Sequence, residues 1–253
     1  MKKLFLLAFV AFLSTFSAIA QTGVYDASFG NAGKVTLPSD FEFADLAVMP
    51  DGKIVAAGTS YVAGFSGFRI ARYDATGHPD TSFGIGGFAS APTPFRPNSR
   101  SVAAQPDGKI LVTGDLFGTN ANSSGVMRLN ANGTVDSAFG NNGIAEILPN
   151  YVVVLTKVLV KPDGKLLLYG IYNNFVFVAI QLFSNGAMDS TFGNNGYGML
   201  VSQNFGTSDL TIPALALQPD GKIVIGAWTS STWQSSVYGV WVQRFLANGM
   251  PDS

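Results

Sequence analysis

The chain has 253 residues, with 15 lysine and arginine residues against 16 acidic ones, a single histidine and no cysteine. Almost half of the residues are hydrophobic (47%) and only 12% are charged, which indicates a globular, core-rich protein and excludes a disordered chain, a disulfide scaffold and a zinc finger. Without a surplus of basic residues the chain lacks the electrostatic attraction that nucleic acid requires, so we expect no nucleic-acid partner.

The first 20 residues have the pattern of a bacterial export signal. Lys2 and Lys3 precede an apolar stretch, and Ala18-Ile19-Ala20 provides a small-x-small cleavage site before Gln21. The stretch is shorter than the roughly 20 apolar residues that a membrane-spanning helix needs. We therefore expect residues 1–20 to be a signal peptide and residues 21–253 to form one repeat domain without a membrane span. The protein is then secreted, periplasmic or at the cell surface.

Three short motifs recur in one order through the rest of the chain. Pro-Asp-Gly-Lys, followed by an aliphatic residue, begins at Pro50, Pro106, Pro162 and Pro219, in steps of 56, 56 and 57 residues. Asp-x-x-Phe-Gly, called the Phe-Gly motif below, starts at Asp26, Asp80, Asp136 and Asp189, and its first two residues return at Asp252-Ser253. The third motif begins at Arg72, Arg128, Gln181 and Arg244 and ends at a glycine five residues later.

Each repeat contains about four short strands. In the second copy these are Ser101–Ala104, Lys109–Gly114, Val126–Leu129 and a strand from Gly143 to Ile147, separated by Asp-Gly and Asn-Gly turn signals. No helical periodicity interrupts them. Repeated four-stranded units without helices are typical of propeller blades, so the sequence predicts an all-β protein, a β-propeller of four-stranded blades. Another β-solenoid is the alternative.

These motifs resemble the delta-60 repeat family of bacterial exported proteins. The resemblance rests on Asp-Thr-Ser-Phe-Gly at 80–84, Gln-Pro-Asp-Gly-Lys-Ile at 105–110 and Arg-Leu-Asn-Ala-Asn-Gly at 128–133, and it extends over residues 24–253. It implies a propeller-like β architecture and an exported or surface location, and it implies no reaction.

The phase of the repeats leaves two arrangements open. The repeat region starts with a Phe-Gly motif and one predicted strand, Lys34–Leu37, which could complete the last blade of a closed four-bladed ring. Asp252-Ser253, however, starts a fifth Phe-Gly motif. We therefore also consider, and favour, the chain being part of a longer propeller.

The motif residues are predicted to be structural. We expect turn-forming carboxylates at Asp51, Asp107, Asp163 and Asp220, and rings that plug the space between blades at Phe29, Phe83, Phe139 and Phe192. We expect the motif arginines to pair with motif aspartates. With one histidine and no cysteine, the sequence predicts no catalytic residue, metal site or cofactor. Six acidic residues lie outside the motifs, namely Asp40, Glu42, Asp45, Asp115, Glu146 and Asp209.

The segments that differ in length between repeats all fall on one face of a four-stranded blade, and they are rich in aromatic and amide side chains. Such side chains suit stacking and hydrogen bonding to a ligand, so the predicted ligand-binding residues are Tyr61, Phe117, Asn120, Tyr172, Asn173, Trp228 and Trp233. Our leading hypothesis is an exported, non-enzymatic binding or scaffold module for an extracellular glycan or protein. The alternative is a secreted carbohydrate-active hydrolase or lyase that uses Asp115, Glu146 or Asp209.

Overall fold

The computed structural model describes residues 23–62, 65–90, 95–116, 124–148, 153–172, 176–193, 214–230 and 238–252. Within these ranges the chain consists of strands and turns. None of the described residues forms a helix long and apolar enough to cross a membrane. The predicted signal peptide, residues 1–20, lies outside the described residues.

In the described residues, fourteen strands form four antiparallel sheets, one for each repeat. Blade 1 contains β1 (Phe41–Val48), β2 (Ile54–Val62), β3 (Phe65–Tyr73) and β4 (Phe88–Ser90). Blade 2 contains β5 (Phe95–Ala104), β6 (Ile110–Leu116), β7 (Ser124–Leu129) and β8 (Ile144–Ile147). The described part of blade 3 contains β9 (Val153–Val160), β10 (Leu166–Tyr172) and β11 (Val176–Leu182), and that of blade 4 contains β12 (Ala214–Leu217), β13 (Ile223–Ser230) and β14 (Tyr238–Phe245).

In each blade the strands follow one another in chain order across the sheet, and the first strands of blades 1–3 lie side by side, β1 against β5 and β5 against β9. The first strands are thus innermost and the blades pack face to face. This arrangement confirms the predicted all-β propeller of four repeats.

The predicted strand Lys34–Leu37 is not formed. Lys34 bridges back to Gly30 and Asn31 in a tight turn, which leaves residues 35–38 outside any ladder. Val35 and Leu37 instead pack their side chains on blade 1 beside Phe41 and Ala56.

The core lies between successive blades. Between blades 1 and 2, for example, Phe68, Ile70 and Phe83 pack against Ile110 and Met127, all of which are fully or almost fully buried. Alternate residues of each middle strand face the preceding and the following blade, because side chains alternate along a strand. The near-continuous aliphatic runs of these strands follow from that two-sided burial.

The innermost strands of blades 1–3 share a bulge. One extra residue stands between Phe43 and Asp45, between Ser99 and Ser101, and opposite the step from Tyr169 to Gly170. A bulge re-aims neighbouring side chains. In β5 the extra residue is Arg100.

Candidate functional site

The Pro-Asp-Gly turns use their aspartates locally. The carboxylate of Asp51 accepts a hydrogen bond from the backbone N–H of Lys53 (3.1 Å), and Asp107, Asp163 and Asp220 accept the same bond from Lys109, Lys165 and Lys222. These carboxylates form Asx turns, so their role is to shape the hairpins.

The motif arginines join neighbouring blades. Arg72 Nε donates to Asp80 of its own blade (2.8 Å), its Nη1 donates to the carbonyl of Ala131 in blade 2, and its guanidinium lies 4.6 Å from the Phe83 ring centroid. Arg128 repeats the arrangement one blade later with Asp136, the carbonyl of Ser184 and the Phe139 ring. Each guanidinium thus donates to a carboxylate of its own blade and to a backbone carbonyl of the next blade.

The Phe-Gly motifs fill the same boundaries. Phe83, Phe139 and Phe192 are at most 1% exposed, and the backbone N–H groups of Gly84, Gly140 and Gly193 donate to the carbonyls of Asn132, Asn185 and Asn248 in the following blade. Phe29 is only partly buried, although the N–H of Gly30 donates to Thr76 of blade 1 in the same way (2.7 Å).

Hydrogen bonds from neutral and charged side chains lower the pKa values of the motif aspartates Asp80 and Asp189. Hydrogen bonds from Ser82 and then Lys53 lower the pKa of Asp80 against the opposing effect of burial. Burial alone would raise the pKa of Asp189, but hydrogen bonds from Lys165, Thr191 and Gln181 hold that pKa well below the usual range. These carboxylates are committed to the blade boundaries, which leaves the acids outside the motifs for chemistry.

Asp45 lies among the innermost strands and touches three blades. It accepts hydrogen bonds from Ser101 Oγ (2.8 Å) and the N–H of Val102 (3.0 Å) in blade 2, and from Lys157 Nζ (2.7 Å) in blade 3. Asp45, Ser101 and Lys157 occupy the same position of successive repeats, and Ala214 occupies it in blade 4. The side chain at this position of the innermost strand therefore differs in charge and polarity from blade to blade.

Asp115 lies at the end of β6, next to the bulge of β5. It accepts hydrogen bonds from Asn98 Nδ2 (2.6 Å) and from Arg100 Nε (3.3 Å) and Nη2 (3.1 Å). Arg100 and Ser101 are consecutive residues, so the bulge turns one toward Asp115 and the other toward Asp45. Asn98, Arg100, Ser101 and Lys157 were absent from the sequence-based candidates because no motif marks them.

The remaining acids do not join this pair. Asp115 aligns with Ser124 and Ile147 across β6, β7 and β8. Because side chains alternate along a strand, Glu146 projects from the opposite side of blade 2, where it is exposed. Asp40 is paired with Arg69 and Ser60 of its own blade. Asp209 lies outside the described residues.

The predicted aromatic ligand residues are placed only in part. Tyr61, Tyr172 and Trp228 lie near the ends of β2, β10 and β13, the strands equivalent to β6, and at the same end as Asp115. Phe117, Asn120, Asn173 and Trp233 lie outside the described residues. The single histidine, His78, is exposed in a turn beside Thr76.

The described residues also contain a cavity, and they were compared with the requirements of a metal site. A cavity of about 400 Å³ opens at the end where the Pro-Asp-Gly turns lie, lined by Val48, Met49, Ala104, Val160 and Lys161 among others. No group of three or more acidic or histidine side chains that could hold a metal ion occurs in the described part of the chain.

The repeats match a known family. Residues 50–83, 105–139, 161–192 and 218–253 match the family described as "Domain of unknown function (DUF5122) beta-propeller". These stretches make up more than half of the chain, and each contains a Pro-Asp-Gly turn. The chain belongs to this family. A search of curated proteins found no match.

The chain is also similar to several solved structures. A putative glycoside hydrolase from Bacteroides ovatus is 15% identical, with 85% of this chain and 71% of that chain covered and a TM-score of 0.45. A putative exo-beta-1,3-galactanase from Bifidobacterium bifidum is 12% identical, with 87% and 70% covered and a TM-score of 0.41. For the GH43 endo-arabinanase from Bacillus licheniformis the identity is 12%, the coverage 85% and 98%, and the TM-score 0.31.

This comparison corrects the leading functional hypothesis. The sequence led us to expect a non-enzymatic binding or scaffold module, whereas the similar solved structures named above carry hydrolase names, so that expectation was wrong. At these identities the likeness concerns the fold alone, and any reaction of this chain has to be argued from its own residues.

Proposed function

We propose that the protein is a carbohydrate-active hydrolase and that Asp45 and Asp115 are its pair of acidic groups. The observation that carries the proposal is the bulge of β5, where consecutive residues Arg100 and Ser101 bind two carboxylates that belong to no repeat motif. Glycoside hydrolysis commonly uses two such carboxylates, one to protonate the leaving oxygen and one to attack or to activate water.

The register of blade 2 suits that chemistry. Ser101, which donates to Asp45, lies opposite Thr113, and Asp115 lies two residues farther along β6. At a rise of about 3.3 Å per residue, Asp115 lies roughly 7 Å farther along the strand direction than Thr113, and the sideways distance from β6 to Asp45 adds to the separation of the two carboxylates. Carboxyl groups of inverting glycosidases are about 6.5 to 9.5 Å apart, which leaves room for the attacking water. An inverting reaction is the expected outcome.

The surroundings of the pair fit a sugar. Asn98, Arg100 and Lys157 present hydrogen-bond donors to the same region, and Tyr61, Tyr172 and Trp228 lie at the same end of their blades as Asp115. We propose that these three aromatic residues bind the sugar together with Phe117, Asn120, Asn173 and Trp233, the aromatic rings by stacking and the two amides by hydrogen bonds.

We also propose that the protein is exported and that its repeats belong to the delta-60 group. The pattern of residues 1–20 supports a signal peptide, and with it a secreted, periplasmic or surface-bound protein in which residues 21–253 form a repeat domain. The motifs at 80–84, 105–110 and 128–133 support placing the repeats in the delta-60 group. The expected partner is an extracellular glycan that serves as substrate, and neither nucleic acid nor a membrane span is expected.

The test is release of reducing sugars from a panel of plant and bacterial polysaccharides. We expect the unmodified protein to hydrolyse at least one of them, and Asp45→Asn and Asp115→Asn each to lower the rate by at least 100-fold, the lower end of what a positioned acid or base contributes. Glu146→Gln, on the opposite side of blade 2, is the matched control and should keep full activity. Hydrolysis that survives both aspartate substitutions would contradict the assignment.

A further inference from the structure

The cavity at the Pro-Asp-Gly end of the inner strands has an apolar wall. Two equivalent positions in each of blades 1, 2 and 3 form most of it, namely Val48, Ala104 and Val160, and Pro50, Pro106 and Pro162. In each turn the backbone N–H and carbonyl of the residue before the proline are bonded to the lysine carbonyl and the glycine N–H of that turn. The cavity has a volume of about 400 Å³, and small-molecule sites usually have volumes of about 300 to 1,000 Å³. It therefore has the size and the apolar lining of a ligand site.

An exposed aspartate follows each proline of this lining, at positions 51, 107 and 163. The lysines of the same turns are drawn away to the blade boundaries, where Lys109 Nζ binds Asp136 and Lys165 Nζ binds Asp189, both at 2.8 Å. Among the described residues, no salt bridge compensates Asp107 or Asp163, whose carboxylates accept the backbone N–H of their own turn. The turns beside the cavity therefore carry negative charge that is not paired.

A buried acceptor without a donor lies beside the same cavity. Gln105 stands between Ala104 and Pro106, and the residues equivalent to it in blades 1 and 3, Met49 and Lys161, are part of the lining. Gln105 is only 6% exposed, and its Oε1 has no hydrogen-bond partner among the described residues. Because a buried acceptor without a donor is costly, a ligand that brings an N–H group to Gln105 would be favoured.

We propose that this cavity binds a small organic ammonium ion, a molecule with an apolar body and a positively charged amine. The apolar body packs against the valines and prolines of the wall. The amine lies at the level of the turns, where it donates to Gln105 Oε1 and is attracted by Asp107 and Asp163, whereas an anion would be repelled. The ammonium of Lys161 does not serve there, because it donates to Gln181 and to the Ala247 carbonyl at the next boundary. The site is separate from the proposed catalytic pair, since Asp45 precedes Val48 by three residues along β1.

Two probes with the same apolar body and opposite charge test the site, 2-phenylethylammonium and 3-phenylpropionate. Calorimetric titration at low salt should show one site for the ammonium ion and binding of the carboxylate that is at least tenfold weaker. Asp107→Asn with Asp163→Asn removes two charges but keeps an acceptor for each turn N–H, and should weaken ammonium binding at least threefold, an effect that high salt reduces. Asp220→Asn is the matched control, because it changes the same turn in blade 4, which is not part of the lining, and it should leave the affinity unchanged.

Two further variants place the ligand in the cavity. Ala104→Phe fills the space and should abolish binding of 2-phenylethylammonium. Gln105→Met, which introduces the residue that blade 1 has at this position, removes the acceptor and should weaken binding at least threefold even if Ala104→Phe does not fold, as its urea midpoint would show. Equal or tighter binding of 3-phenylpropionate, unchanged affinity in Gln105→Met or in the Asp107, Asp163 double variant, or no binding of the ammonium ion to the unmodified protein would each overturn the proposal. None of these measurements depends on hydrolytic activity.

Discussion

Lys161 and Gln181 together do in blade 3 what one arginine does in blades 1 and 2. Lys161 Nζ donates to Gln181 Oε1 (2.6 Å) and to the Ala247 carbonyl of blade 4, and Gln181 Nε2 donates to Asp189 (2.7 Å). The lysine occupies the position of Gln105 in blade 2, so the cation and the amide have exchanged places between the end of β9 and β11, the strands on either side of β10. The boundary between blades 3 and 4 keeps its cation although the motif arginine is missing. Burial lowers the pKa of Lys161, which marks how far the ammonium is withdrawn from water.

The exchange predicts a compensating pair of substitutions. Lys161→Gln alone should lower the free energy of unfolding by about 2 kcal/mol, because the Ala247 carbonyl and Gln181 lose a charged donor. Gln181→Arg alone should also destabilise the protein, since it buries a second cation beside Lys161. The double variant, Lys161→Gln with Gln181→Arg, recreates the arrangement of blade 2 and should recover most of the loss. Urea unfolding of all four proteins gives the coupling energy, and two losses that simply add would contradict the exchange.

A second prediction concerns the glycines that the Phe-Gly rings cover. Gly186 has φ +89° and a Cβ there would stand 3.0 Å from the Phe139 ring, whereas Gly164 has φ +79° and open space around it. Gly164→Ala should cost about 1 kcal/mol for the left-handed backbone alone. Gly186→Ala should cost roughly 1 to 3 kcal/mol more, the usual effect of overpacking. Equal losses of stability for both variants would show that Phe139 does not fill the boundary.

Acid should weaken the blade boundaries. Because the pKa values of Asp80 and Asp189 are lowered on folding, the folded protein binds fewer protons than the unfolded chain once the pH falls to about 4, the usual range of unfolded aspartate. The stability these carboxylates contribute is therefore complete above about pH 5 and is lost as the pH falls further. Asp189→Asn should lower the unfolding free energy by about 2 kcal/mol at pH 7, and its difference from the unmodified protein should shrink steadily as the pH falls from about 5 toward the lowered pKa of Asp189. A difference that does not change with pH would refute this linkage.

The fold was predictable from the sequence because every blade repeats the same local signals. In each copy the Asp-Gly pairs indicate turns, the aliphatic runs indicate strands and the Phe-Gly motifs mark the boundaries between blades. The strands Ile110–Leu116 and Ser124–Leu129 of blade 2 agree with the predicted ones. The prediction of a strand at Lys34–Leu37 was wrong because apolar alternation alone does not form a strand, and none of the described strands pairs with residues 35–38.

The candidate site was less predictable because its residues come from different repeats and are far apart in the sequence. Asp45 and Lys157 are 112 residues apart, and only the ring of blades brings equivalent positions together. Arg100 faces Asp115 because of a bulge, which depends on strand pairing and has no marker in the sequence. The same limit applies to Lys161, because its exchange of roles with Gln181 depends on the pairing of β9 and β11 with β10.

Chemical rescue of the aspartates tests the central claim, that Asp45 and Asp115 act directly on a sugar, most sharply. With a hydrolysed polysaccharide in hand, the rates of Asp45→Ala and Asp115→Ala are measured with and without sodium azide, whose small anion can enter the space that the carboxylate leaves. We predict a loss of at least 100-fold for each variant and a partial return of activity with azide for the one that replaces the base, with azide incorporated into the sugar product. Activity that neither falls on substitution nor responds to azide would contradict the account.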